Sequence, residues 1–166
     1  MEKVFVGIGS NLGDAQSQVE SAISHINKIS ELEVIRSASL YESKPFGPID
    51  QGNFVNTVVE IACSLEPVEL LKTLKEIERT MGRAQGVRWG PREIDLDILL
   101  FGSREFSSND LNLPHPGITH RAFVLVPLAE LEPELMLADG LTIGKAISRL
   151  EQGLVWPLQR AATINL

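Results

Sequence analysis

A chain of 166 residues with 43% hydrophobic side chains is long enough to bury one core and needs no second domain. Its net charge of −7 at pH 7 argues against a general nucleic-acid binder, whose footprint is a basic face, and no stretch approaches the roughly 18 apolar residues of a membrane span. The lone cysteine, Cys63, excludes an internal disulfide and fits a reducing cytosol, and Met1-Glu2-Lys3-Val4 lacks the basic and apolar regions of a signal peptide, so the expectation is one soluble, cytoplasmic domain over residues 1–166.

In chain order, Lys3 to Ile8 reads as a strand and Gly9 to Gly13 as a turn. Asp14 is placed to cap a helix over Ala15 to Ile29, which carries Val19, Ala22, Ile23, Ile26 and Ile29 on one face. Glu33 to Tyr41 and Phe54 to Ala62 follow as strands around a long loop, Glu42 to Asn53, that contains Pro45, Gly47, Pro48 and Gly52. Cys63 belongs to the apolar run and reads as core packing. Pro67 opens a helix through Met81, with Leu70, Leu71, Leu74 and Ile77 inward and Gly82 as its stop. A strand around Asp95 comes next. The order strand, helix, strand, strand, helix, strand predicts an α+β fold, a ferredoxin-like βαββαβ sandwich with a mainly antiparallel sheet. Beyond Phe101-Gly102 the pattern predicts a hairpin over Glu105 to Leu113 and a helical extension, Arg121 to Leu131 and Thr142 to Leu150.

The most informative stretch runs from Arg88 to Leu100. Ile94, Leu96 and Ile98 alternate with Asp95 and Asp97, so both carboxylates share one strand face, with Cα atoms roughly 6.5 to 7 Å apart. They can converge on one Mg²⁺ or flank a pair of ions, which oxygen ligands suit. A bare Asp-x-Asp is more often a solvated face; here Arg88 and Arg92 precede it, and arginine offers phosphate a planar, permanently charged fork. Lys72, Lys75, Arg79, Arg83, Arg88 and Arg92 against Glu76, Glu78 and Glu93 make the segment locally positive within an acidic protein. Lys72, Glu76 and Arg79 read as a solvated helix face.

Other features are less specific alone. Gly7-Ile8-Gly9-Ser10-Asn11-Leu12-Gly13 has GxGxxxG rather than GxGxxG spacing and no following Lys-Ser/Thr, so tight-turn glycines account for it as well as a ligand-approaching backbone does. Phe54 and Asn56 share a strand face, where a flat ring could pack on the aromatic while the amide pairs with its edge. Pro114-His115-Pro116, Arg121 and Phe123 form a further polar and aromatic group.

Taken together, these residues resemble the 6-hydroxymethyl-7,8-dihydropterin pyrophosphokinases of folate biosynthesis. The likeness covers nearly the whole chain: Gly9 to Gly13, Ser43 to Pro48 with Gln51, Phe54-Val55-Asn56, Gly82-Arg83, Arg88 to Leu100, Pro114-His115, and Arg121 to Phe123 with Pro127-Leu128. The resemblance implies ATP as co-substrate and two Mg²⁺ ions held by Asp95 and Asp97. It assigns Arg83, Arg88, Arg92, His115 and Arg121 to the nucleotide and its phosphates, and Lys75, Glu78 and Ile98 to the nucleoside side. Ser43, Phe46, Phe54, Asn56 and Phe123 fall at pterin positions, and Trp89 belongs to a loop, Arg83 to Gly90, that closes over the site. Attack of the pterin hydroxymethyl oxygen on the β-phosphorus, with AMP leaving, asks for in-line placement and charge neutralisation, with Arg83, Arg92 and Asp97 as the catalytic set and Asp97 a candidate acceptor of the hydroxyl proton. The implied partners are ATP and the hydroxymethyl-dihydropterin, with no nucleic acid or membrane; the chain is expected to be a monomer with contact to other folate-pathway enzymes. Two departures stand out: Ala84-Gln85-Gly86 carries no basic residue in a loop one residue shorter than usual, and Pro116 stands where an aromatic often follows the His115 position. The rival class is a non-catalytic ligand-binding module, which ferredoxin-like sandwiches often are.

Overall fold

The computed structural model describes residues 1–45, 48, 50–82, 94–150 and 159–160. Its elements are β1 (Glu2–Ser10), α1 (Ala15–Asn27), β2 (Leu32–Ser37), β3 (Tyr41–Ser43), β4 (Phe54–Cys63), α2 (Pro67–Thr80), β5 (Asp95–Phe101), β6 (Phe106–Ser107), β7 (Asn112–Leu113), α3 (Ala122–Leu131), α4 (Ile143–Arg149) and β8 (Gln159–Arg160). Among the described residues the main sheet runs β5-β1-β4-β3-β8, with β2 also on β4 and every pairing antiparallel. With β2 and β3 read as one interrupted strand, this is the predicted ferredoxin-like order. The hairpin and the two C-terminal helices lie where the sequence places them.

Alternation in β1 decides the layers. Val4, Val6 and Ile8 point to α1 and α2 and join Val19, Ile23, Ile26, Leu70, Leu74 and Ile77 in the larger core. Phe5 points the other way, where Val58 and Leu99 meet Val124, Leu125, Leu128 and Leu131 of α3 and Ile143 and Ala146 of α4. The second layer covers only part of that face; the part near the ends of β1 and β4 carries the polar residues described below. Asp14 caps α1 as predicted, accepting from the Ser17 amide at 3.2 Å and its hydroxyl at 2.9 Å. Gly82, with φ 88°, follows α2 in a conformation only glycine adopts readily.

The structure differs from the sequence reading in four places. First, β1 continues to Ser10, because Gly7 and Gly9 are paired on both sides rather than turning. Second, the strand expected over Glu33 to Tyr41 breaks at Ala38-Ser39-Leu40, where the Glu130 carboxylate of α3 accepts from the Ser39 amide (2.9 Å), the Ser39 hydroxyl (2.6 Å) and the Tyr41 hydroxyl (3.0 Å). Third, β5 slips register: Phe5 pairs with Leu100 and Val6 with Ile98, so Leu99 is an extra residue. That bulge turns Phe101 into the α1 and α2 core while Leu99 stays with α3 and α4. Fourth, β8 adds to the edge of β3, a pairing two residues long that no periodicity announces.

A network of ion pairs fastens α3 to the sheet. Arg36 donates from Nε to Glu60 at 2.7 Å, from one Nη to the Leu131 carbonyl at 2.8 Å and from the other to Glu132 at 2.9 Å; Lys3 also pairs with Glu132. Arg79 pairs with Glu76 on the exposed face of α2, in line with the solvated role read for them.

Candidate active site

β5 presents Leu96 and Ile98 to the core and Asp95 and Asp97 to the opposite face, as the period of two requires. In register, Asp95 lies beside Gly9 and Asp97 beside Gly7; across β1, Gly9 lies beside Asn56, and Asn56 beside Tyr41. One row across the sheet therefore reads Asp95, Gly9, Asn56, Tyr41. Two strand spacings put the acid and the amide about 10 Å apart, with the buried Gly9 between them.

Gly9 is needed for that row: a Cβ there would sit 2.5 Å from Asn56 Oδ1. The Asn56 amide lies against the β1 backbone and donates from Nδ2 to Ser43 Oγ at 3.0 Å, both residues being buried. Oδ1 and a second N–H of Nδ2 remain for other partners. Ser43 pairs in register with the half-buried Phe54, so Ser43, Phe54 and Asn56 gather on one patch. Asn11 pins the neighbouring loop, donating to Gln51 Oε1 at 2.8 Å and to the Gly52 carbonyl at 3.0 Å.

The polar group after β7 approaches from the other side of β5. The His115 amide donates to the Leu99 carbonyl at 2.9 Å, following a cis Leu113–Pro114 bond. A 3₁₀ turn, Ile118–His120, then leads to Arg121, whose guanidinium carbon is 5.9 Å from the centre of the Phe123 ring. On the α2 side, the buried Glu78 accepts from the Leu96 amide at 2.8 Å, and Lys75 Nζ is 4.0 Å from Glu78. Glu78 thus fills a backbone donor on the outer edge of β5. Ile98 buries its side chain with α1 and α2, so it shares no face with the two acids; strand alternation turns its main chain to the same edge as that of Leu96.

The charges fit this geometry. Asp97 is pushed up to about 7, first by burial and then by the Asp95 charge, while Arg121 offsets part of the shift. His115 is held below the ordinary histidine range by burial and by Arg121, with Asp95 partly opposing, so it is neutral at neutral pH. A cation would relieve the two acids. No third Asp, Glu, His or Cys joins them among the described residues. That donor set suits Mg²⁺, which takes one or two carboxylates and completes its octahedron with water and phosphate oxygens.

Of the residues singled out in the sequence, the fold gathers Ser43, Phe54 and Asn56 on one patch, sets Asp95 and Asp97 across the glycines from it, and brings His115 and Arg121 close enough to act on the acids' charges. Phe123 stands beside Arg121, and Lys75 and Glu78 lie behind β5. Phe46, Arg83, Arg88, Trp89 and Arg92, with the closing loop expected over Arg83 to Gly90, lie outside the described residues. Sequence reasoning missed the room that Gly7 and Gly9 leave for Leu99 and Asn56, although they alternate with Val6 and Ile8 as Asp95 and Asp97 do with Leu96 and Ile98. It also passed over Gly117, whose contacts lie within one short turn, and Glu130, whose contacts are tertiary.

Such a face suits an enzyme of the kinase class that joins a phosphate chain to a flat, polar acceptor. Residues 5–133 match the family model for 7,8-dihydro-6-hydroxymethylpterin-pyrophosphokinase (HPPK), and the chain belongs to that family. Similar curated proteins include the 2-amino-4-hydroxy-6-hydroxymethyldihydropteridine pyrophosphokinases of Pseudomonas aeruginosa (43% identity over 84% of this chain and 86% of that one) and Synechocystis (40%, over 92% and 78%). That of Bacillus subtilis is 42% identical over 76% of each chain. Among solved structures, wild-type Plasmodium falciparum HPPK-DHPS with pteroate has the same fold, with a TM-score of 0.70 at 16% identity over 89% of this chain and 42% of that one.

Two outcomes follow from the geometry. Gly9→Ala forces the Asn56 amide from its seat and is expected to lower stability by about 1 to 3 kcal/mol, whereas Gly144→Ala on α4, with open space around its Cβ, leaves stability unchanged or raised. Thermal unfolding of both variants measures this, and equal melting temperatures would contradict the close approach. The folded-state pKa of about 7 for Asp97 lies above the ordinary aspartate value of 3.8, so the folded protein holds the extra proton between them and metal-free stability falls as pH rises through that window. Asp97→Asn is therefore expected to stabilise the metal-free protein fully above pH about 7 and progressively less toward pH about 4. Unfolding in chelator across that range tests it; a pH-independent difference would count against the assignment.

Proposed function

We propose that this chain transfers the terminal pyrophosphoryl group of ATP to the hydroxymethyl oxygen of 6-hydroxymethyl-7,8-dihydropterin, giving the pterin diphosphate and AMP in folate biosynthesis. The observation that carries this reading is the shared face: Asp95 and Asp97 lie across Gly7 and Gly9 of β1 from Asn56. A flat acceptor paired with Asn56 and a polyphosphate held at the two acids would lie side by side on that face. Family membership supports the same chemistry.

In this reading Asn56 pairs with the polar edge of the pterin while Ser43 holds its amide, and Phe46, Phe54 and Phe123 supply flat apolar contacts. Arg121 and His115 meet the phosphates together with Arg83, Arg88 and Arg92, and Trp89 belongs to the closing loop. Lys75, Glu78 and the main chain of Ile98 serve the nucleoside side. Asp95 and Asp97 would hold Mg²⁺, two ions by the family likeness, and bound Mg²⁺ supplies charge neutralisation and a fixed orientation of the triphosphate. The remaining work falls to the chain: keeping the hydroxymethyl oxygen in line with the β-phosphorus and balancing developing charge with Arg83 and Arg92. Residues 1–166 act in this reading as a single, monomeric domain on small-molecule substrates, and contact with other folate-pathway enzymes is part of the proposal.

Incubated with Mg²⁺, ATP and the hydroxymethyl pterin, the protein is expected to release AMP in step with pterin diphosphate, followed by chromatography. ADP in place of AMP would overturn the pyrophosphoryl assignment, and calorimetric binding without ATP consumption would favour a non-catalytic module. Asp95→Ala and Asp97→Ala should each cut turnover about a hundredfold or more; wild-type turnover persisting in chelator would rule out the metal role.

A further inference from the structure

His115 and Arg121 are held in place through Gly117, which no motif highlighted. The Gly117 amide donates to His115 Nδ1 at 2.9 Å. A Cβ at Gly117 would lie 2.8 Å from Arg121 Nε, 3.0 Å from Arg121 Cζ and 3.1 Å from His115 Cε1. The imidazole and the guanidinium therefore close on one point, the space left by the missing side chain. The backbone does not itself demand glycine, since φ −88° and ψ −1° suit any residue at the third position of a type I turn, here closed by the Ile118 amide on the His115 carbonyl at 3.2 Å.

We propose that Gly117 is a positioning residue for phosphate recognition: its amide fixes His115 as the Nε2–H tautomer, and its lack of a side chain seats the Arg121 guanidinium beside that ring. This rests on the phosphate-binding reading of His115 and Arg121 given above. With Nδ1 accepting from a main-chain N–H, a neutral ring must carry its single proton on Nε2. Burial and the Arg121 charge keep the ring neutral, so it offers an anion a donor without adding a second cation against the guanidinium. An oxygen of a phosphate chain can then take a neutral N–H and a charged, forked donor side by side. Any side chain at position 117 would move Arg121, His115 or both, with the amide bond to Nδ1 still available.

The two parts are tested separately. In ¹⁵N-histidine NMR of the wild-type protein near neutral pH, His115 is expected as the Nε2–H tautomer; an Nδ1–H ring would overturn the tautomer assignment. Gly117→Ala keeps the amide and an allowed backbone, so it should fold and retain the Nε2–H signal. It should nevertheless raise the KM for ATP about tenfold and weaken tripolyphosphate binding in calorimetry to a similar degree, with the pterin KM unchanged. Wild-type affinity for ATP and tripolyphosphate in the variant, or an equal rise in both substrate KM values, would overturn the positioning role. Failure of the wild-type protein to form AMP would instead refute the proposed reaction while leaving the tripolyphosphate and tautomer results to decide the present inference.

Discussion

The central strand β1 is paired on both sides, and its alternation constrains everything around it. On one face Val4, Val6 and Ile8 are buried beneath α1 and α2; on the other, Phe5 reaches the α3 and α4 layer while Gly7 and Gly9 carry nothing. A side chain at Gly9 would collide with Asn56, so the neighbouring amide lies over β1 in the space a Cβ would need. The same strand thus supplies a dry core on one face and, on the other, the room in which Asn56 and Leu99 settle. The β5 bulge serves both sides too, sending Phe101 to one layer and Leu99 to the other just beyond the two acids.

Charge is used in two ways. At the closed end, Glu60 and Glu132 are shared by Lys3 and Arg36, and such a network mainly fixes how α3 lies on the sheet. At the open end, Asp97 sits near Asp95 and is pushed toward neutrality, with Arg121 offsetting only part of the cost. The scaffold is satisfied within itself, whereas the site is arranged so that a cation and an anion would improve it. Glu78 belongs to the first kind, since it closes a backbone donor at the edge of β5 and so steadies the strand that carries the acids.

Much of this was legible in the sequence because it is local. Periods of two and 3.6 placed the strands and helices, the cap at Asp14 and the stop at Gly82, and the shared face of Asp95 and Asp97 required only alternation. Residues 9–13 misled, because glycines that serve a turn and glycines that serve a flat strand look alike until their partners are known. The break at Ala38 to Leu40 was hidden for a similar reason: it depends on Glu130, distant in sequence and brought there by the packing of α3. β8 is too short for any periodic signal.

By itself, the sequence determined the element order, the apolar faces, the paired acids and the family likeness, all set by spacing along one chain and by side-chain chemistry. Only the tertiary structure decided that Gly9 faces Asn56, that Glu78 caps the Leu96 amide, and that Glu130 reaches Ser39. Those are contacts between elements, fixed by strand register and helix packing. Register depends on which side chains can share a buried surface, and that is settled only when the whole sheet is assembled.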